Sequence, residues 1–212
     1  CNLRCPYCYN TSLVLYPEKL PTIPFQDIET YLQKNKDWID GVIITGGEPT
    51  LHSDLPNLCQ KLKKLNLMVK IDTNGTNPKI IRELLDEELV DYVAMDVKAP
   101  LTEQKHLEAS GTHAKQLIEK IKETTDILIK SLIEYEFRTT LVPTIHQVKD
   151  VQEMCYQIKG CKKYVLQNYK TNIETINPNF KNLKPFSQKT LKMFLQTAKK
   201  IIPNTILRGL TK

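Results

Sequence analysis

The chain has 212 residues, 41% hydrophobic and 25% charged, near the globular average, which excludes a disordered, collagenous or coiled-coil protein. Thirty basic and 24 acidic residues give a net charge of +6. No basic block is interleaved with aromatics and no run approaches the roughly 18 apolar residues of a membrane span, so neither a nucleic-acid nor a membrane partner is expected.

The length suits one domain, residues 1–212. The elements follow in chain order. Gly41–Thr45 is apolar on both faces, as a strand inside a parallel sheet must be. Ser53 is placed to cap a helix carrying Leu55, Leu58, Leu62 and Leu65 on one stripe. Strand 67–72, helix 78–85 and strand 92–98 come next, then a long helix over 115–133. Strand 135–142, helix 148–158 and strand 164–167 follow. An Asn/Pro-rich loop at 170–185 leads to a last helix over 187–201 and a short closing strand at Ile206-Leu207. Repeated strand–helix units imply a parallel sheet flanked by helices, either a partial α/β barrel or an open doubly wound sheet. In both, the site belongs at the carboxyl ends of the strands.

Three of the six cysteines fall in Cys1-Asn2-Leu3-Arg4-Cys5-Pro6-Tyr7-Cys8, a C-x3-C-x2-C spacing. An odd cluster does not pair off into disulfides, so a reduced, cytoplasmic protein is expected. Three soft thiolates on one loop suit zinc, copper or an iron–sulfur group. Structural zinc wants a fourth ligand, and Cys59, Cys155, Cys161 and the histidines form no second pair. Cys59 and Cys155 fall on apolar helix faces as packing residues, whereas Cys161 sits where it can be exposed.

Unusual residues follow each strand. Only seven glycines occur, yet Gly46 and Gly47 are adjacent in Thr45-Gly46-Gly47-Glu48-Pro49, where backbone can approach a ligand and Glu48 offers a carboxylate to a cation. Asp72-Thr73-Asn74-Gly75 makes a polar turn. Asp96 and Lys98 share one face of their strand and need each other or a ligand. Arg138 stands in Phe137-Arg138-Thr139-Thr140-Leu141-Val142-Pro143. His106 and His113 lie in a polar segment and read as solvated. His146 follows Pro143 on the active face, where it can touch substrate, and His52 closes the turn after Glu48. The loops 9–24 and 170–185 are long enough to be lids or partner surfaces.

With Tyr7 in the aromatic place, the cysteine motif resembles the signature of the radical SAM superfamily. The resemblance implies a (β/α)6-type partial barrel and a [4Fe-4S] cluster on Cys1, Cys5 and Cys8. S-adenosylmethionine would complete the fourth iron, and Tyr7 would lie against the adenine. Gly46, Gly47 and Glu48 resemble the motif that holds the methionyl ammonium. Thr73 and Asn74 would line the cofactor site, and Asp72 would face the substrate.

CNLRCPYC, TGGEPTLH, DTNG, MDVKAP and FRTTLVPT together resemble the glycyl-radical activating group, the activators of anaerobic ribonucleoside-triphosphate reductase and pyruvate formate-lyase. There, Asp96 and Lys98 would stand beside the cofactor and the substrate, and Arg138 would reach toward S-adenosylmethionine. The implied partners are a glycyl-radical enzyme, with anaerobic ribonucleotide reductase favoured, and a flavodoxin- or ferredoxin-like electron donor.

Two departures from the group stand out. Leu166-Gln167-Asn168-Tyr169 lacks the histidine of formate-lyase activators, and the strand that precedes the cysteine loop in this group is missing, so an N-terminally truncated domain is expected. The competing readings are a small-molecule enzyme of the same superfamily, such as 7-carboxy-7-deazaguanine synthase, and a non-catalytic zinc module.

Overall fold

A computed structural model of the chain describes residues 1–112 and 115–209. Six strands form one parallel sheet in sequence order: β1 (Gly41–Ile44), β2 (Met68–Thr73), β3 (Tyr92–Asp96), β4 (Glu134–Leu141), β5 (Tyr164–Asn168) and β6 (Thr205–Arg208). Every neighbouring pair is parallel, and β1 and β6 remain its two edges. The sheet is open, so the partial-barrel expectation holds.

Among the described residues eight α-helices accompany it: α1 (Thr11–Leu15), α2 (Phe25–Lys34), α3 (Leu55–Lys64), α4 (Pro78–Asp86), α5 (Glu103–Ser110), α6 (Lys115–Lys130), α7 (Val148–Gln157) and α8 (Gln188–Lys199). None is long and apolar enough to cross a membrane, among the described residues.

The two faces of the sheet are chemically opposite. Val69, Ile71, Val93, Met95, Tyr135, Phe137, Tyr164 and Leu166 are buried in the main core. Cys59 and Leu62 of α3, Ile81 and Leu84 of α4, Met154 of α7 and Phe194 of α8 meet them there. Each large side chain taken out of water contributes about 1.5–3 kcal/mol. The alternate residues, Lys70, Asp72, Tyr92, Asp96, Glu136, Arg138 and Gln167, share the opposite face because side chains alternate along a strand. A smaller cluster of Ala99, Ala109, Val142, Ile145 and Tyr169 forms a separate core, against which Tyr7, Phe180 and Leu183 pack.

Several expectations are corrected. Asp54, not Ser53, precedes α3, and no side chain caps it. Pro56 stands in the first turn and lacks an N–H, while the Leu55 N–H bonds back to His52 O at 3.2 Å, so fewer donors need a cap. Helices α1, α2 and α5 occupy segments with no expected element. Each is short or buries few apolar residues: Val14 in α1, Leu32 in α2, and Ala109 beside His106 and Ser110 in α5.

Cys161 is buried rather than exposed, and burial pushes its thiol up to about 11. Cys59 and Cys155 are buried as expected. His113 lies outside the described residues. His106 is 3% exposed, because the polar-looking α5 turns it inward. Its Nδ1 lies 3.2 Å from Ser110 Oγ, and Nε2 has no hydrogen-bond partner among the described residues.

Burial, reinforced by the charge of Lys98, pushes His106 down to about 4. The unfolded chain, with an ordinary histidine near 6.5, therefore binds the extra proton between about pH 6.5 and 4. Stability from this residue is complete above that window and falls as pH drops, by up to about 1.4 kcal/mol per unit. Urea unfolding of His106→Gln across this range should show a flatter pH dependence than the unsubstituted chain. Equal slopes would show that the ring titrates as it does in water.

Candidate active site

A cleft of about 540 Å³ opens at the carboxyl ends of the strands. Its wall includes Cys1, Cys5, Tyr7 and Cys8 from the N-terminal loop, and Gly46, Gly47 and Glu48 after β1. Asp72, Thr73 and Asn74 join it from the end of β2, Asp96 and Lys98 from the end of β3, and Arg138 from β4. Apart from His146, the site residues named from the sequence thus meet in one place.

Glu48 is 3% exposed and bonded on both oxygens. Its Oε1 accepts from Thr50 N at 3.2 Å, Thr50 Oγ1 at 2.6 Å and Thr73 Oγ1 at 2.7 Å, and Oε2 accepts from Asn74 N at 2.6 Å. The carboxylate therefore pins the turn after β1 to the end of β2. Asn74 continues the chain of contacts: its Oδ1 accepts from Thr76, and its Nδ2 donates to Asn2 Oδ1 at 3.0 Å and lies 4.0 Å from Cys1 Sγ. Gly47 meets the same loop. A Cβ there would fall 2.9 Å from Cys1 N and 3.1 Å from Cys1 Cβ, so only glycine admits this approach.

The inner face of the sheet carries a charge network. Arg138 Nε donates to Asp96 Oδ1 and its terminal nitrogen to Asp72 Oδ2, both at 3.0 Å, reaching across β3. Between them on that face stands Ala94, with only a methyl. Lys98 Nζ lies 3.2 Å from Asp96 Oδ2, and Lys70 Nζ lies 3.4 Å from Asp72 Oδ1. Strand β3 ends at Asp96, two residues earlier than expected, yet the Asp96–Lys98 pairing holds.

Burial works to raise the Asp96 carboxyl, but Lys98 and Arg138 outweigh it and hold the group below its usual range. Burial works against the Lys98 ammonium, but Asp96 outweighs it and keeps Lys98 charged. Burial raises the Cys5 thiol, with Lys98 opposing. Arg138 sits on an interior strand, not an edge.

Two groups of residues were not anticipated. Glu136, 1% exposed, accepts both terminal nitrogens of Arg208 at 2.9 Å, Lys163 Nζ at 3.1 Å and Tyr92 Oη at 3.0 Å. The charged alternation Glu134, Glu136, Arg138 in an otherwise apolar strand was the available signal. Arg208, Gln167 and Asn168 also line the cleft, and Asn168 Oδ1 is a buried acceptor with no donor.

His146 does not face the cleft. It is buried, its Nδ1 accepts from Val142 N at 2.9 Å and its Nε2 lies 2.8 Å from Lys98 O. It holds the backbone of Lys98, which satisfies both ring nitrogens. His52 is exposed and serves the turn through its backbone.

The loop over 170–185 contacts the cysteine loop directly. Ile176 N donates to Cys8 O at 3.0 Å and Asn177 N to Pro6 O at 2.9 Å, while Tyr169 donates its hydroxyl proton to Phe180 O.

The three thiols, the glycine turn beneath them and the paired charges beside them form a chemistry-bearing cleft, and comparison with known proteins gives it a class. The model of the radical SAM superfamily matches residues 1–155, and the chain belongs to that superfamily. It is therefore a radical SAM enzyme, and membership implies S-adenosylmethionine and an iron–sulfur cluster.

A candidate glycyl-radical enzyme activating enzyme of Methanocaldococcus jannaschii is 32% identical over 211 residues, covering 98% of this chain and 85% of that protein. Streptococcus suis SuiB bound to S-adenosylmethionine superposes with a TM-score of 0.74 at 18% identity, covering 99% of this chain and 48% of SuiB. A domain of pyruvate-formate lyase-activating enzyme from Bacteroides vulgatus gives 0.60 at 16% identity, over 80% of this chain and 99% of that one. At such identities the two structures show the fold.

Glu48→Ala would leave the Thr73 hydroxyl and the Asn74 N–H without their acceptor in a buried turn. A loss of about 3 kcal/mol in unfolding free energy is expected, since bonds to a charged acceptor are worth about 1.5–3 kcal/mol each. An unchanged urea midpoint would show that the turn after β1 does not depend on this carboxylate.

Proposed function

We propose that Cys1, Cys5 and Cys8 ligate three irons of a [4Fe-4S] cluster and that the chain, as one domain, installs a glycyl radical on a partner enzyme. The observation that carries this reading is the convergence of the three thiols, the Gly46-Gly47 turn and the Asp72/Asp96/Lys98/Arg138 charges on a single cleft. The donor set fits: three soft thiolates on one loop, with backbone and charged groups left to hold the rest of the cofactor.

Cys1, Cys5 and Cys8 would hold the cluster and the neighbouring turns S-adenosylmethionine, which together would supply the radical chemistry needed to remove a hydrogen atom from an unactivated carbon. The protein's contribution is to bind, aim and shield. The turn at Gly46-Gly47, which lines the cleft without side chains, would admit the methionyl group to close range. Glu48, already bonded through four contacts, acts chiefly by fixing that turn, with a lone pair of Oε2 left for the ammonium. Thr73 and Asn74 line the same wall. Tyr7 packs on the satellite core and presents its remaining surface to the adenine.

Arg138 and Lys98 offer cationic donors whose charge is offset by Asp72 and Asp96, so the site takes a zwitterion without a large net field. Asp72, Asp96 and Lys98 then border the substrate. None of them is required as an acid or a base, because the hydrogen moves as an atom.

The whole-length similarity to a candidate activating enzyme supports a protein substrate whose reacting carbon is a glycine Cα. Anaerobic ribonucleoside-triphosphate reductase is the proposed partner, a flavodoxin- or ferredoxin-like protein the electron donor, and the cytoplasm the setting.

The test is electron paramagnetic resonance of the anaerobically reconstituted, dithionite-reduced protein, with and without S-adenosylmethionine. A four-iron signal that shifts on addition, with 5′-deoxyadenosine released and a glycyl doublet on the added reductase, is the expected result. Alanine at any one of the three cysteines should abolish both products. A colourless zinc protein would overturn the assignment. Deoxyadenosine formed only with a pterin-like small molecule would replace the protein substrate with a small one.

A further inference from the structure

The cysteine loop is held by the end of α5 as well as by the loop over 170–185. Ser110, fully buried, accepts the Arg4 N–H on its carbonyl oxygen at 2.8 Å. The next residue, Gly111, ends α5 in the left-handed conformation, with φ at +62°. A Cβ on Gly111 would stand 2.1 Å from Arg4 O and 2.8 Å from Arg4 C, far inside contact distance with backbone. No rotamer change relieves a collision between backbone and a Cβ.

Helix α5 is tied to α7 at its start, and its last turn is bonded internally. Lys105 Nζ lies 3.3 Å from Asp150 Oδ2, a carboxylate that also accepts Gln147 N at the start of α7. Leu101 N, just before α5, donates to Gln157 Oε1 at the end of α7. Ser110 Oγ accepts Thr112 N at 3.2 Å and faces His106 Nδ1 at the same distance, locking the turn. The yielding partner is therefore the Arg4–Cys5 peptide. That peptide is planar, so displacing the Arg4 carbonyl carries the Cys5 N–H and Cα with it.

We propose that Gly111 is a positioning residue for the cysteine loop: its missing side chain lets the Arg4 carbonyl dock on α5, and this docking sets where the Cys5 thiol stands. The part concerning the cluster rests on the reading of the cysteines as ligands. The part concerning the thiol does not.

The experiment compares Gly111→Ala, Gly111→Asn and Gly160→Ala with the unsubstituted chain. Asparagine tolerates the left-handed conformation better than alanine but carries the same Cβ, so it removes much of the strain and keeps the collision. Gly160, at φ +95°, has Ile129 Cγ2 as its nearest neighbour at 3.9 Å, so alanine there introduces strain without a collision. Two quantities are read: the rate of Cys5 alkylation by iodoacetamide in the cluster-free protein, followed by mass spectrometry, and iron and sulfide bound after anaerobic reconstitution.

Both Gly111 variants should alkylate Cys5 at least about fivefold faster, the factor that follows from losing one hydrogen bond of about 1 kcal/mol. They should also lose most of their iron, with Gly160→Ala unchanged in both. Protection and iron retained in Gly111→Asn would overturn the proposal, as would equal losses in Gly160→Ala. If Gly111→Ala fails to fold, Gly111→Asn against Gly160→Ala decides the matter. An unsubstituted chain that binds no cluster would refute the ligand reading alone, and the alkylation rates would still judge Gly111.

Discussion

A loop that carries three thiols within eight residues has no regular structure of its own, so its backbone donors and acceptors must be satisfied by its surroundings. The sheet's carboxyl-end loops meet that requirement almost residue by residue. Ser110 takes the Arg4 N–H, and Ile176 and Asn177 supply donors to Cys8 O and Pro6 O. Asn2 is held between Asn74 and Thr76, and Gly47 lies against Cys1. The turns after β1, β2, β3 and β5 are thereby committed to one arrangement. The long segment after β5 is consequently a strap across the cysteine loop.

The second organising feature is that the inner face of the sheet is charged. A conventional core there would be cheaper, since buried ions are costly unless paired. Here the pairing is thorough. Arg138 serves two carboxylates, and Glu136 is enclosed by Arg208, Lys163 and Tyr92. The lower layer, centred on Glu136, ties β3, β4 and β6 together and supports the upper layer, where Asp72, Asp96, Lys98 and Arg138 face the cleft. Rigidity of the upper layer is what a cofactor site requires, because donors already in place need no reorganisation when the ligand arrives.

Local pattern made the strands and the larger helices legible. Runs such as Gly41–Ile44 are apolar on both faces or follow the helix period, and those signals survive any tertiary arrangement. Helix α2 does carry Phe25, Ile28 and Leu32 at helical spacing, a signal that was present in the sequence. Local pattern failed for α5, which buries His106 and Ser110 in place of an apolar stripe. The same blindness hid Glu136 and misplaced His106 and His146. A histidine or glutamate has the same letter whether it is solvated or enclosed, and only its neighbours decide which.

The sequence by itself determined the parallel α/β class, the rule that chemistry lies after the strands, and most of the side chains of the cleft, with His146 misplaced and Arg208, Gln167 and Asn168 missed. The thiols three and four apart, the adjacent glycines and the charges two apart on a strand follow from spacing along one chain, while Tyr7, Thr73, Asn74 and Arg138 come from the resemblance to a known superfamily. Tertiary structure alone decided how those side chains act on one another. That Glu48 reaches Thr73 and Asn74, that Arg138 spans to Asp72, and that Gly111 meets Arg4 are contacts between residues far apart in sequence. Such contacts depend on strand register and loop path, and these are set by packing of the whole sheet, which no local pattern encodes.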